Sequence, residues 1–184
     1  MSSNYPWYQS VADGTLRQGD IFFDFPVFVA KADAAVMRKY LSGQSNVNFG
    51  GTVLKMNVIV ASQSCDLEHD KVKTVVLCPI WDLDYARDVL GWDDEKLENV
   101  RTGRENNWHM VDKSDDPAAV QSVIEFRRVY TTTKKMLMMF ADNAGSHVRL
   151  LPPYREHFSQ AFGRYFMRVA LPEDIPSFNP PEIA

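Results

Sequence analysis

The sharpest change of pattern along the chain lies between Gly51 and Trp81. An apolar run, TVLKMNVIVA, gives way to a polar stretch, SQSCDLEHDKVK, and then to a second apolar run, TVVLCPI. Short Val- and Ile-rich runs bounded by polar residues predict two buried strands that pair, with the polar stretch as the turn between them. Upstream, LRQGDIFFDFPVFVA reads as a turn at Gln18-Gly19-Asp20 feeding another strand. Pro26 removes a ladder donor there, so this strand is an edge or bends at the proline. In DAAVMRKYLSG, Asp33 can cap a short amphipathic helix whose Val36, Met37, Tyr40 and Leu41 recur at helical spacing, and Gly43 can end it. Met1 to Gly14 carries aromatics without periodicity and reads as an irregular arm.

Downstream the pattern loosens. DLDYARDVLGWDDEKLENVRTGRENN predicts one or two short helices, with Leu83, Ala86, Val89 and Leu90 on one face and Asp93-Asp94-Glu95 as a first turn suited to a helix dipole. SVIEFRRVYTT has strand composition with imperfect alternation, whereas KKMLMMFAD fits strand and helix equally. HVRLL follows a turn at Asn143-Ala144-Gly145 and reads as half of a hairpin. The clearest helix is PPYREHFSQAFGRYFMRVALP. Tyr154, Phe158, Phe162, Tyr165 and Val169 form its apolar stripe, and His157, Gln160, Arg164 and Arg168 a neighbouring polar one. The proline-rich remainder, 171–184, reads as an extended tail.

The 184 residues suffice for a substantial core, and 45% hydrophobic against 24% charged residues is ordinary for a water-soluble chain. A formal charge of −4 argues against indiscriminate coating of nucleic acid, which needs many neutralised phosphates. That charge is unevenly placed. From Asp82 to Asp116 eleven acids face five Lys or Arg, while from Pro117 to Val169 eight Lys or Arg face three acids. The first segment reads as a solvated acidic insertion. The second is a candidate basic face, which can also pair with that insertion. Neither a signal-peptide pattern nor a membrane-length apolar run is present, so the expectation is a cytoplasmic chain with no membrane partner. Cys65 and Cys78 are expected as free thiols.

Several chemistries compete for the SQSCDLEHD stretch. Cys65, with Asp66 beside it and His69 four residues on, has the makings of a thiolate activated by an imidazole, against the plainer reading of a cysteine closing a strand. Cys65, His69 and Cys78 would need a fourth zinc ligand from His109, His147, His157 or a carboxylate, and no recognised spacing supplies one. Asp66, Glu68 and Asp70 alternate like a cation loop but lack the glycine and distal glutamate of an EF-hand. Phosphate-loop, dinucleotide-turn, nucleophile-elbow and zinc-protease motifs are all missing. No metal or other cofactor is expected. On the basic segment, Arg127, Arg128, Lys134, Lys135, Arg149, Arg164 and Arg168, interleaved with Tyr130, Tyr154 and Tyr165, could bind single-stranded RNA by charge and stacking.

The succession LRQGDIFFDF, VIVASQSCD and VVLCPI resembles the MazF/PemK family of small toxin endoribonucleases over roughly Leu16 to Trp81. The resemblance implies a small Src-homology-3-like barrel and metal-independent cleavage of single-stranded RNA. That family uses an arginine near the start of the second long strand and a hydroxyl after the proline turn. Here the positions read Lys55-Met56-Asn57 and Pro79-Ile80-Trp81, so Lys55 would stand in as the charge, with a carboxylate or His69 completing the site. The C-terminal half also resembles uncharacterised bacterial and prophage proteins with an SQ-x-CD turn. The expected fold is α+β with a mainly β core: a strongly bent antiparallel sheet or small barrel in a single domain. Its strands come from 15–81 and 118–151, a helical insertion from 82–116, and a packed helix from 154–170. The functional expectation is a non-enzymatic binding or regulatory module for RNA or a partner protein in a bacterial stress or phage-related system. The alternatives are an endoribonuclease with an altered site or a cysteine-dependent enzyme.

Overall fold

The computed structural model describes residues 5–31, 33–48, 50–115 and 117–167. In chain order the elements are β1 (Tyr8–Val11), β2 (Asp20–Ala30), α1 (Ala34–Leu41), β3 (Gly51–Val60), α2 (Ser64–Glu68), β4 (Thr74–Asp82), α3 (Leu83–Asp88) and α4 (Asp94–Arg101). They continue with β5 (Trp108–Val111), β6 (Ser114–Asp115), β7 (Ala118–Ala119), β8 (Ser122–Glu125), β9 (Tyr130–Thr133), α5 (Lys134–Ala144), β10 (His147–Leu150) and α6 (Tyr154–Phe166). Among the described residues, eight strands form one antiparallel sheet ordered β1-β10-β2-β3-β4-β8-β5, with β9 on β4. The sheet is open, which decides between the bent sheet and the barrel of the sequence reading in favour of the sheet.

The two apolar runs pair as expected, Val58 with Pro79, Ile59 with Cys78 and Val60 with Leu77. Where they pair, their continuous hydrophobicity has a simple cause: that part of the sheet is buried on both faces, whereas the first half of β3, Gly51 to Lys55, is exposed. Val58, Val60, Val75 and Leu77 pack under α5 through Leu137 and Ala141, and with Leu67 of α2. Ile59, Ala61, Cys78 and Ile80 pack on the opposite face under α6, through Tyr154 and Phe158. Complete burial of each such Val, Ile or Leu contributes about 1.5–3 kcal/mol. A third cluster, with Ala86, Leu97, Val100, Trp108 and Val123, sits under α3 and α4.

Two irregularities aim side chains. In β2 the register shifts between Phe22 and Phe25, with Asp24 at φ +53° and its N–H donated to Asn57 Oδ1 at 3.1 Å. Phe23 and Asp24 thus oppose Asn57 alone. The bulge puts Phe22 and Phe25 on one face, where strict alternation would separate them. The second break divides SVIEFRRVYTT, read above as one strand. Ile124 pairs with Ile80 and Tyr130 with Leu77, so the chain between them loops out. The excursion drives Phe126 into the α6 cluster, against Phe158, Phe162 and Tyr165.

Other expectations change. The polar turn contains a helical turn, α2, because Ser64 to Glu68 close their own hydrogen bonds. The N-terminal arm contains β1, paired with β10 from Tyr8↔Leu150 to Val11↔His147, with Trp7 stacked on Tyr154 at 3.5 Å. KKMLMMFAD is helical, capped by the Thr133 hydroxyl and ended by Gly145 at φ +74°. HVRLL therefore follows a helix rather than a hairpin partner. The acidic segment carries α3 and α4 as expected, but also the strand β5. The helix capped by Asp33 forms, with no buried residue. Its last-helix counterpart is described to Met167, and Arg168, Val169 and the tail lie outside the described residues. No described helix is long and apolar enough to cross a membrane.

Candidate functional site

Two regions concentrate chemistry. The first is the rim around α2. Ser62 Oγ accepts from Val76 N–H at 2.9 Å and Ser64 Oγ from Gln18 N–H at 3.1 Å. Gln18 Nε2 donates to Ala61 O at 2.9 Å, Arg17 pairs with Glu68 at 2.7 Å, and Lys134 Nζ donates to Leu67 O at 2.6 Å. These bonds fasten the turn to the start of β2 and to α5. Beneath them, fully buried Asp20 takes Arg149 Nε and Nη2 at 2.5 and 2.9 Å and Arg17 N–H at 2.7 Å. His147 Nε2 lies 3.1 Å from Asp20 Oδ2 without hydrogen-bond alignment, and its ring stacks on Phe22. Arg149 is thus a core residue of the fold.

Cys65 is exposed, with Sγ 3.7 Å from Asp66 Oδ1. His69 caps α2 through its backbone, and its exposed ring makes no hydrogen bond or ion pair among the described residues. Lys55 is exposed in β3, opposite Pro26. Cys78 is buried, its thiol pushed up to about 12 by burial and then by Glu125. No group of three or more His, Cys, Asp or Glu among the described residues is placed to hold a metal ion.

The second region is a cleft of about 310 Å³ between α6, β5 and the end of α4, within the range of ligand sites. The α6 stripe next to the apolar one supplies His157, Gln160 and Arg164, and β5 supplies His109. The His109 ring lies against Phe126 and Phe158, with centroids 6.5 and 6.2 Å away. Burial, then the charges of His157 and Arg164, pushes its pKa down to about 4, so it is a neutral imidazole at pH 7. Arg164 is exposed and forms no ion pair with a described carboxylate. A fixed cation beside two imidazoles can hold an anionic group, and the neutral ring can donate or accept.

The basic residues of 117–167 form no ion pair with the acidic insertion among the described residues. That insertion pairs within itself, Arg87 with Asp94, Lys96 with Glu105 and Arg101 with Glu98. Arg128 pairs with Glu125 and lies over the Trp81 ring at 5.3 Å. The Asn107 amide, oriented to satisfy its neighbours, accepts from Arg127 Nε at 3.2 Å and Trp108 Nε1 at 2.6 Å. Lys134 is tied to Asp70 at 2.8 Å. Of the tyrosines, Tyr154 is buried under Trp7 and Tyr165 packs on Phe126.

The structure therefore groups Cys65, Asp66 and His69 on one helical turn and leaves Lys55, Arg127 and Arg128 elsewhere. None of these lines the cleft that holds Arg164. Residues that sequence reasoning did not assemble there are His109, Glu105 and Asn106. The one available signal was the polar stripe of the last helix. Comparison with family models, with curated proteins and with solved structures finds no match to this chain.

Proposed function

We propose that the chain is a binding module for single-stranded RNA, with the α6 cleft seating one nucleotide. The observation that carries this reading is Arg164, unmatched by a described carboxylate and set beside His109 and His157 in a concave site. Charge that the protein does not neutralise itself is available to a phosphate. The resemblance of Leu16 to Trp81 to RNA-cleaving toxins favours the same ligand class.

Fluorescence anisotropy with a labelled single-stranded oligoribonucleotide tests it. With Arg164 neutralising one phosphate, affinity falls about 2.6-fold for a fourfold rise in salt. Arg164→Ala should weaken binding and flatten that dependence. Absent or salt-independent binding overturns the proposal, and discrete RNA fragments would move the assignment to an endoribonuclease.

A further inference from the structure

We infer that the cleft selects nucleotides whose base carries an amino group at pyrimidine C4 or purine C6, cytosine and adenine, over uracil, which has a carbonyl there; the inference rests on the RNA-binding reading above. The two walls are chemically opposed. One is α6, with Arg164 and His157. The other is the C-terminal end of α4 and the loop after it, where Thr102, Gly103 and Glu105 line the space. A helix C-terminus carries partial negative charge and points its last carbonyls outward.

Here the turn at Gly103, φ +73°, satisfies the earlier carbonyls. Gly103 N–H donates to Val100 O at 3.0 Å and Arg104 N–H to Asn99 O at 2.9 Å. The carbonyls of Thr102 and Gly103 accept nothing from a described residue. Glu105 accepts from Lys96 Nζ at Oε1, and its Oε2 makes no hydrogen bond among the described residues. Arg101 adds no free cation to this wall, because Glu98 holds its guanidinium at 2.6 and 2.7 Å.

A ligand that bridges the walls is anionic at one end and a hydrogen-bond donor at the other. A nucleotide meets both conditions when its phosphate lies on Arg164 and His157 and its amino group faces Glu105 Oε2 and the loop carbonyls. Uracil would turn a carbonyl oxygen toward those acceptors, leaving polar groups desolvated and unpaired. Met110 of β5 and Ala161 of α6 add apolar surface for the base to the lining of the cleft.

Binding of labelled oligocytidylate and oligouridylate of equal length tests the inference. The expected result is about tenfold tighter binding of oligocytidylate, the worth of one hydrogen bond to a charged group. Glu105→Gln should shrink that ratio, since a glutamine amide can donate to uracil. With the protein unchanged, N4,N4-dimethylcytidine in place of cytidine should abolish the preference. Equal affinity for both homopolymers, or tighter oligouridylate, overturns the inference and leaves RNA binding standing. Binding of neither removes both.

Discussion

The α2 rim and the α6 cleft hold similar inventories: hydroxyl or amide groups, carboxylates, imidazole and arginine. They differ in what those groups already touch. At the rim Ser62, Ser64, Glu68 and Arg17 each bond to another part of the fold. In the cleft Arg164 and His157 meet no described carboxylate across the gap. Much of the polar density at the rim is therefore structural, although the His69 ring there is as unbonded as Arg164.

That contrast can be broken by mutation, ordered by expected effect on stability. Arg149→Ala leaves the Asp20 carboxylate buried without its main partner and should cost about 3–5 kcal/mol in urea unfolding; a loss under about 1 kcal/mol would place that pair outside the fold's supports. His109 gives a pH signature. Its folded pKa of about 4 lies below the ordinary 6.5, so the unfolded chain binds more protons between those values. Stability is complete above pH 6.5, falls as pH drops toward 4 and levels off below, by up to about 1 kcal/mol per pH unit. His109→Gln should flatten that limb, and an unchanged profile would deny the burial.

Ser62→Ala strands the Val76 N–H and should cost about 1 kcal/mol. Arg164→Ala sits at the other end, changing stability by less than about 0.5 kcal/mol while weakening RNA binding. A thiol reagent sharpens the same division without mutation. Exposed Cys65 should label in the folded protein, and Cys78, buried with its pKa near 12, only on unfolding; equal rates would contradict the two-sided burial of β4.

Strands and helices held by local pattern were legible: β3, β4, α1 behind Asp33, and α6 between its prolines. The misreadings have physical causes. Tyr8 to Val11 buries only its two end residues, and only because β10 arrives beside it. The Phe126 excursion follows from packing under α6, which no local propensity encodes. KKMLMMFAD has one apolar composition for two periods, and Leu137 and Ala141 on the sheet settle it as helix. The cleft was illegible for a related reason: His109 and His157 stand far apart along the chain and meet only through α6 and β5.

The pairing of β1 with β10 also bears on biosynthesis. Tyr8 to Val11 leave the ribosome well before their partner, His147 to Leu150, which follows only after every other described strand has been made. Until then a segment with open backbone donors and apolar side chains at its two ends travels unpaired, a sequence-distant contact of the kind that slows maturation and invites chaperones. A nascent chain stalled before His147 should remain sensitive to protease at Tyr8 even after β2, β3 and β4 have assembled.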